Sequence, residues 1–136
     1  MSAGDRLASA NRKTVAKVCR RLGSIVTIVR AIETRGPAND VTHGPWLAIA
    51  DGKDVGMMIT DVATAREQRV WGEEKKVVAA GFLADGPDIQ PGDGIIVTAG
   101  NRMNSAYLVV PGGVRIDYLA GSRRVGLRTS KVEDFA

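Results

Sequence analysis

The stretch "LGSIVTIVRAIE", Leu22–Glu33, contains the change of pattern on which the fold turns. Before Gly23 the apolar residues recur at helical spacing; after it β-branched residues crowd into a short run typical of a strand. Working back from Gly23, Leu7, Asn11, Val15, Val18 and Leu22 return every three or four residues, with Ala8 and Cys19 beside them. Arg12, Lys13, Lys17 and Arg20 fall mostly elsewhere on the wheel. This spacing predicts one amphipathic helix over residues 5–22. Arg20 and Arg21 suit the negative end of its dipole, and Gly23 is expected to stop it in the left-handed region.

Working forward, the runs "PWLAIA", "GMMITDV", "KKVVAAGFL", "GIIVTAG", "SAYLVV", "VRIDYLAG" and "RRVGLR" follow one another closely. The separators "RGPANDV", "ADGKDVG", "DGPDIQPGDG", "GNRMN" and "VPGG" carry turn residues: Gly for positive φ, Pro for fixed φ. No helix is expected between the strands, and none is available to make parallel crossovers, so the chain reads as a mostly antiparallel barrel or sandwich. At 136 residues, without internal repeat or linker, it reads as a single domain, 1–136. The closing "RTSKVEDFA" is expected as an exposed arm, either a frayed end or one that orders on a neighbouring subunit with Phe135 as anchor.

Composition narrows the chemistry. No apolar run reaches the roughly 18 residues of a membrane span, which leads to the expectation of a cytosolic protein without a membrane partner. Cys19 is the sole cysteine and His43 the sole histidine. An intramolecular disulfide and a Cys-based zinc site are therefore excluded; Cys19 reads as a small buried residue and His43 as a loop residue. No phosphate-binding glycine loop, dinucleotide fingerprint, serine elbow or H-E-x-x-H pair occurs, and no cofactor is expected. Asp51, Asp54, Asp61, Asp85, Asp88 and Asp93 lie mostly beside Gly or Pro, where Asp serves turns. In "QPGDGIIV" in particular, Pro91, Gly92 and Asp93 are read as a structural turn that launches a strand, with Asp93 accepting backbone N–H groups.

The net charge of +4 is unevenly placed. Arg6, Arg12, Lys13, Lys17, Arg20 and Arg21 face only Asp5 in the first 22 residues, leaving the remaining chain near neutral. Such an element meets nucleic acid or an acidic protein surface, or is simply a solvated face. Two Trp, two Tyr and two Phe are a poor supply of stacking platforms, which disfavours base-specific single-strand binding. Non-specific contact with duplex backbone stays open through residues 6–21, 66–76 and 123–131.

The order of these parts resembles the head-closure, or head–tail adaptor, proteins of tailed bacteriophages. The likeness rests on Gly23 with Val26-Thr27-Ile28 after the helix, the excursion Asp61–Lys76 between a GMMI and a KKVV strand, Gln90-Pro91-Gly92-Asp93, and the final Gly126-Leu127-Arg128. It spans residues 5–128. It implies a mainly β fold, a small antiparallel β-barrel over 24–128 with one N-terminal α-helix, a long inter-strand loop at 61–76 and a C-terminal arm at 129–136. It also implies a non-enzymatic virion protein at the phage neck, assembled in the host cytoplasm, that forms a roughly twelvefold ring below the portal and adaptor, closes the head after packaging and joins it to the tail. Arg66, Arg69, Trp71, Lys75 and Lys76 would then face the channel and touch packaged duplex DNA non-specifically, or meet the next subunit. Arg12, Lys13, Lys17, Arg20 and Arg21 would dock the helix on partners, among them portal, adaptor, tail-terminator and tail proteins. The alternatives are a tail-terminator or tail-completion protein, a monomeric nucleic-acid-binding barrel, and an enzyme built on a carboxylate pocket.

Overall fold

The computed structural model describes residues 2–35, 41–62, 64–72 and 76–135, with the backbone alone at 33–35, 41–44 and 65. Helix α1, Ala3–Leu22, starts two residues earlier than the spacing predicts because Ser2 caps it: the Ser2 hydroxyl accepts from the Asp5 N–H at 3.1 Å, and the Asp5 carboxylate accepts in return from the Ser2 N–H. The helix ends where expected, but by a different mechanism. Gly23 has φ −101°, outside the left-handed region, and a Cβ there would lie 2.5 Å from the Met57 carbonyl oxygen. Glycine is needed for close approach of two backbones.

Seven strands follow among the described residues: β1 (Ser24–Arg35), β2 (Val41–Ala48), β3 (Val55–Asp61), β4 (Ala79–Ala84), β5 (Gly94–Ala99), β6 (Ala106–Asp117) and β7 (Ser122–Ser130). All their pairings are antiparallel. The order β1-β3-β4-β7-β6-β5 closes on itself through β1–β5, giving a six-stranded barrel. The early part of β1 belongs to this barrel, with Val26 opposite Val55 on one side and Val97 on the other. Its later part leaves the wall and pairs with β2 from Val29↔Ala48 to Arg35↔Val41. His43 lies in β2 opposite Glu33, not in a loop.

Alternation along each strand fills the barrel. Val26, Ile28, Met57, Leu83, Ile95, Val97, Val109, Val125 and Leu127 point inward and are buried, with Ile89 added from the β4–β5 connection. The "PGG" segment is not a turn. Residues 106–117 form one strand, and its register with β7 shifts between Val109 and Val114, so Pro111, Gly112 and Gly113 make a bulge. Proline has no N–H to give the ladder, Gly112 takes φ +67°, and a Cβ on Gly113 would meet the Val110 carbonyl oxygen at 2.8 Å.

The C-terminal segment also departs from expectation. Strand β7 already takes in residues 129–130, and a 3-10 turn, Val132–Phe135, folds Phe135 back onto its own barrel. Its ring meets Trp46 edge-on at 4.7 Å and fills the space above Gly94, where a Cβ would sit 2.4 Å from a ring carbon. Val29 and Ala106 complete this outer cluster. Phe135 is thus an anchor, as its isolation in a polar tail hinted, but an intrachain one. Replacing Phe135 with Ala should cost about 3 kcal/mol in urea unfolding, whereas Val132→Ala, at a more exposed site, should cost under about 0.5 kcal/mol.

Candidate functional site: one barrel wall between two helices

The outward side chains of β3, β4, β7 and β6 form three tiers on one wall. In the first, Gly56, Ala84 and Ser122 are small, and Ala84 pairs with Ser122. Helix α1 crosses the wall here. A Cβ on Gly56 would lie 2.6 Å from the Arg20 nitrogen, and one on Gly121, which has φ +66°, 2.4 Å from the Arg12 nitrogen. Backbone this close leaves no room for branched side chains beneath the helix. Ala8 and Cys19 therefore take the buried face, and Leu7, Val18 and Leu22 of the apolar stripe are 51%, 40% and 65% exposed. Cys19 is buried as expected, donating to the Phe82 carbonyl, and burial pushes its thiol pKa up.

The N-terminal half of α1 is tied to the β6–β7 turn. The Asn11 amide donates to the Leu119 carbonyl and the Tyr118 hydroxyl to the Asp5 carboxylate, each at 2.8 Å. The Tyr118 hydroxyl, followed by Ser2, holds the Asp5 pKa below its ordinary value, and the same hydrogen bond raises that of Tyr118. Of the basic residues expected to dock partners, Arg12, Lys13 and Arg20 line a groove of about 300 Å³ together with Asp51, Asp54 and Asp85. Arg20 also donates to the Asp54 carbonyl. Lys17 and Arg21 are exposed.

At the far side of the wall, the excursion expected as a loop carries a short helix, α2 (Ala65–Trp71). Thr64 caps it by accepting from the Glu67 N–H, and Gly72 ends it at φ +93°. The Trp71 side chain is turned onto its own barrel and away from solvent. It is 7% exposed, packed with Val77 and Val110 over Gly126, because the tier beneath it is floored by Ala80 opposite Gly126 and leaves a ring-sized space. Arg66, Arg69 and Lys76 are exposed, whereas Lys75 lies outside the described residues.

Between the helices runs the middle tier, Met58↔Phe82↔Arg124↔Arg115, one residue from each of four strands. Two guanidiniums thus stand directly opposite each other, an arrangement that costs about 0.2–1 kcal/mol. Arg115 stacks over the Trp71 ring, 4.6 Å from its centroid, and donates to the Val70 carbonyl. Arg124 lies over Phe82 at 5.9 Å. Such stacking offsets roughly 0.5–1 kcal/mol per pair at exposed sites. The tier floors a cleft of about 390 Å³ that α2 walls with Val70 and Trp71. Sequence reasoning missed this site. Its one linear signal, the basic "RRVGLR" alternation, does not reveal that Arg124 meets a residue of another strand.

The turn residues Pro91, Gly92 and Asp93 are where the sequence places them. Gly92 takes φ +90°, and the Asp93 carboxylate accepts from the Gln90 N–H at 2.8 Å. It also holds Arg30 of β1 through two bonds of 2.8 and 2.9 Å, a partner the sequence did not disclose. Of the remaining aspartates, Asp51 and Asp54 have the positive φ of turn residues, whereas Asp61 is the last residue of β3 and pairs with Arg102, and Asp85 pairs with Arg123. Among the described residues no group of three or more His, Cys, Asp or Glu is placed to hold a metal ion, and no helix is long and apolar enough to cross a membrane.

The Asp93 side chain is 2% exposed while the Asp61 side chain is 73% exposed, so the two ion pairs should respond differently to loss of their arginines. Arg30→Ala strands a buried carboxylate and should cost about 2–3 kcal/mol in chemical denaturation. Arg102→Ala frees an exposed one and should cost under about 1 kcal/mol.

No family model matches the chain, and no curated protein matches it. Among solved structures, the solution structure of protein SF1141 from Shigella flexneri 2a is similar, with a TM-score of 0.59 and 15% sequence identity over 80% of this chain and 96% of that one. At that identity the likeness is one of fold alone.

Proposed function

We propose that this chain is a structural ring subunit of the neck of a tailed bacteriophage, placed below the portal and adaptor, where it closes the filled head and joins it to the tail. The observation that carries the reading is the outer surface of α1. On one side of this helix Leu7 and, three turns further on, Val18 and Leu22 are exposed, while its other exposed side carries Arg6, Lys13, Lys17 and Arg21. A helix anchored to its barrel by glycine contacts and hydrogen bonds, yet showing three large apolar side chains to solvent, is built to be covered by another protein. The β1–β2 hairpin supports the same reading: it extends past the closed barrel and exposes Ile32 and Leu47.

In this reading α1 docks on portal, adaptor or tail proteins, and barrels pack side by side in a heterologous arrangement that closes. The charged segment around α2 has a narrower role than a free loop would have. Its helix is pinned by Trp71, so Arg66 and Arg69 are held on a firm mount, with Lys76 exposed beyond it, placed to touch DNA phosphates weakly or to meet the adjacent copy.

The reading is tested by locating the chain in particles. Cryo-electron microscopy of virions carrying it should show barrel density at the neck; density elsewhere in the tail, or none, overturns it. Replacing Leu7, Val18 and Leu22 together with Ser should leave the circular dichroism spectrum and melting midpoint nearly unchanged while lowering incorporation at least tenfold. The Arg66→Ser, Arg69→Ser, Lys76→Ser variant should incorporate normally yet release packaged DNA faster.

A further inference from the structure

The middle tier of the barrel wall has features that ring formation and channel contact do not use. Arg115 and Arg124 are exposed and oppose each other across β6 and β7. Each guanidinium has five N–H donors. Arg115 gives one nitrogen to the Val70 carbonyl, and both stack on aromatic rings. Neither has a carboxylate partner among the described residues, although Arg30, Arg102 and Arg123 all do. Beside the pair lies an apolar floor, Met58, Ala80 and Phe82, each half-buried, with Val70 of α2 53% exposed at the rim.

We propose that this cleft is a docking site for an acidic protein segment, one in which an Asp or Glu stands within two residues of an aromatic or large aliphatic side chain. The apolar side chain enters between α2 and the wall and covers Met58, Ala80 and Phe82; the carboxylate bridges Arg115 and Arg124. That carboxylate removes the like-charge repulsion in the tier, and guanidiniums held by stacking lose little freedom in accepting it. A DNA duplex fits this surface poorly. Its phosphates lie along a rod far wider than a cleft of about 390 Å³, so it would touch the two arginines from outside and leave the apolar floor wet. The inference stands on the cleft alone and does not depend on the neck reading.

The test is selection followed by mapping. A yeast-displayed library of random heptapeptides is sorted on the intact protein and, in parallel, on the Arg115→Gln, Arg124→Gln double variant, whose melting midpoint is checked against the parent. The expected result is enrichment, on the parent alone, of peptides pairing Asp or Glu with Phe, Tyr, Trp or Leu, with binding at least tenfold weaker on the variant. As a readout independent of the variant's folding, titrating the best peptide into isotope-labelled parent protein should shift the Arg115 and Arg124 Nε–H and the Trp71 indole N–H resonances. Enrichment of basic or uncharged peptides, the same peptides on both proteins, no enrichment, or shifts mapping elsewhere overturns the proposal. So does a 12-base-pair duplex that moves those resonances at lower concentration than the peptide.

Discussion

The pairing of β1 with β5 is the constraint on which the rest of the molecule depends. It turns an open antiparallel sheet into a barrel, so the same strand must serve β3, β5 and β2 along its length. Closure removes the free edges that β1 and β5 would otherwise offer to other chains, leaving β2 as an edge strand, and it gives eleven strand residues and Ile89 a common interior. The Arg30–Asp93 pair reinforces the closure. It ties the point where β1 leaves the wall to the turn that launches β5, and the buried carboxylate is compensated only when both are in place.

The interior being full, function is left to the outside of the wall, where small and large tiers alternate. Gly56, Ala84 and Ser122 let α1 lie directly on the strands, and Ala80 and Gly126 seat Trp71 of α2. The tier between them keeps large side chains because no helix covers it. One wall therefore presents exposed apolar residues on α1, a cleft with two arginines, and the mixed-charge surface of α2. The first supports the neck-ring reading, and the second carries the acidic-segment proposal. Phe135 reduces the reach of the C-terminal segment, since the anchor that would have gripped a neighbour is spent on Trp46 and Gly94.

Residues acting on near neighbours in the chain were legible. The end of α1, the strand run after Gly23, the turn at Pro91–Asp93, the burial of Cys19 and the antiparallel character all follow from spacing, β-branching and turn chemistry. The failures have a common cause. "PGG" has the composition of a turn but is absorbed as a bulge because β7 continues opposite it. Residues 65–71 look like a solvated loop because their charges hide a Thr cap, a Gly stop and one buried Trp. The apolar stripe of α1 looks like a core face, yet the side facing the barrel was chosen by clearance, not hydrophobicity.

Sequence alone determined a β-rich fold with a basic amphipathic helix in front, because helical periodicity, strand runs and turn residues are encoded within a few neighbouring positions. Only the tertiary structure decided which helix face is buried, where Trp71 and Phe135 go, and that Met58, Phe82, Arg124 and Arg115 form one row. These depend on strand register and on the distance between backbones far apart in the chain. Neither quantity has a local signature, so the site built from them becomes visible once the barrel is closed.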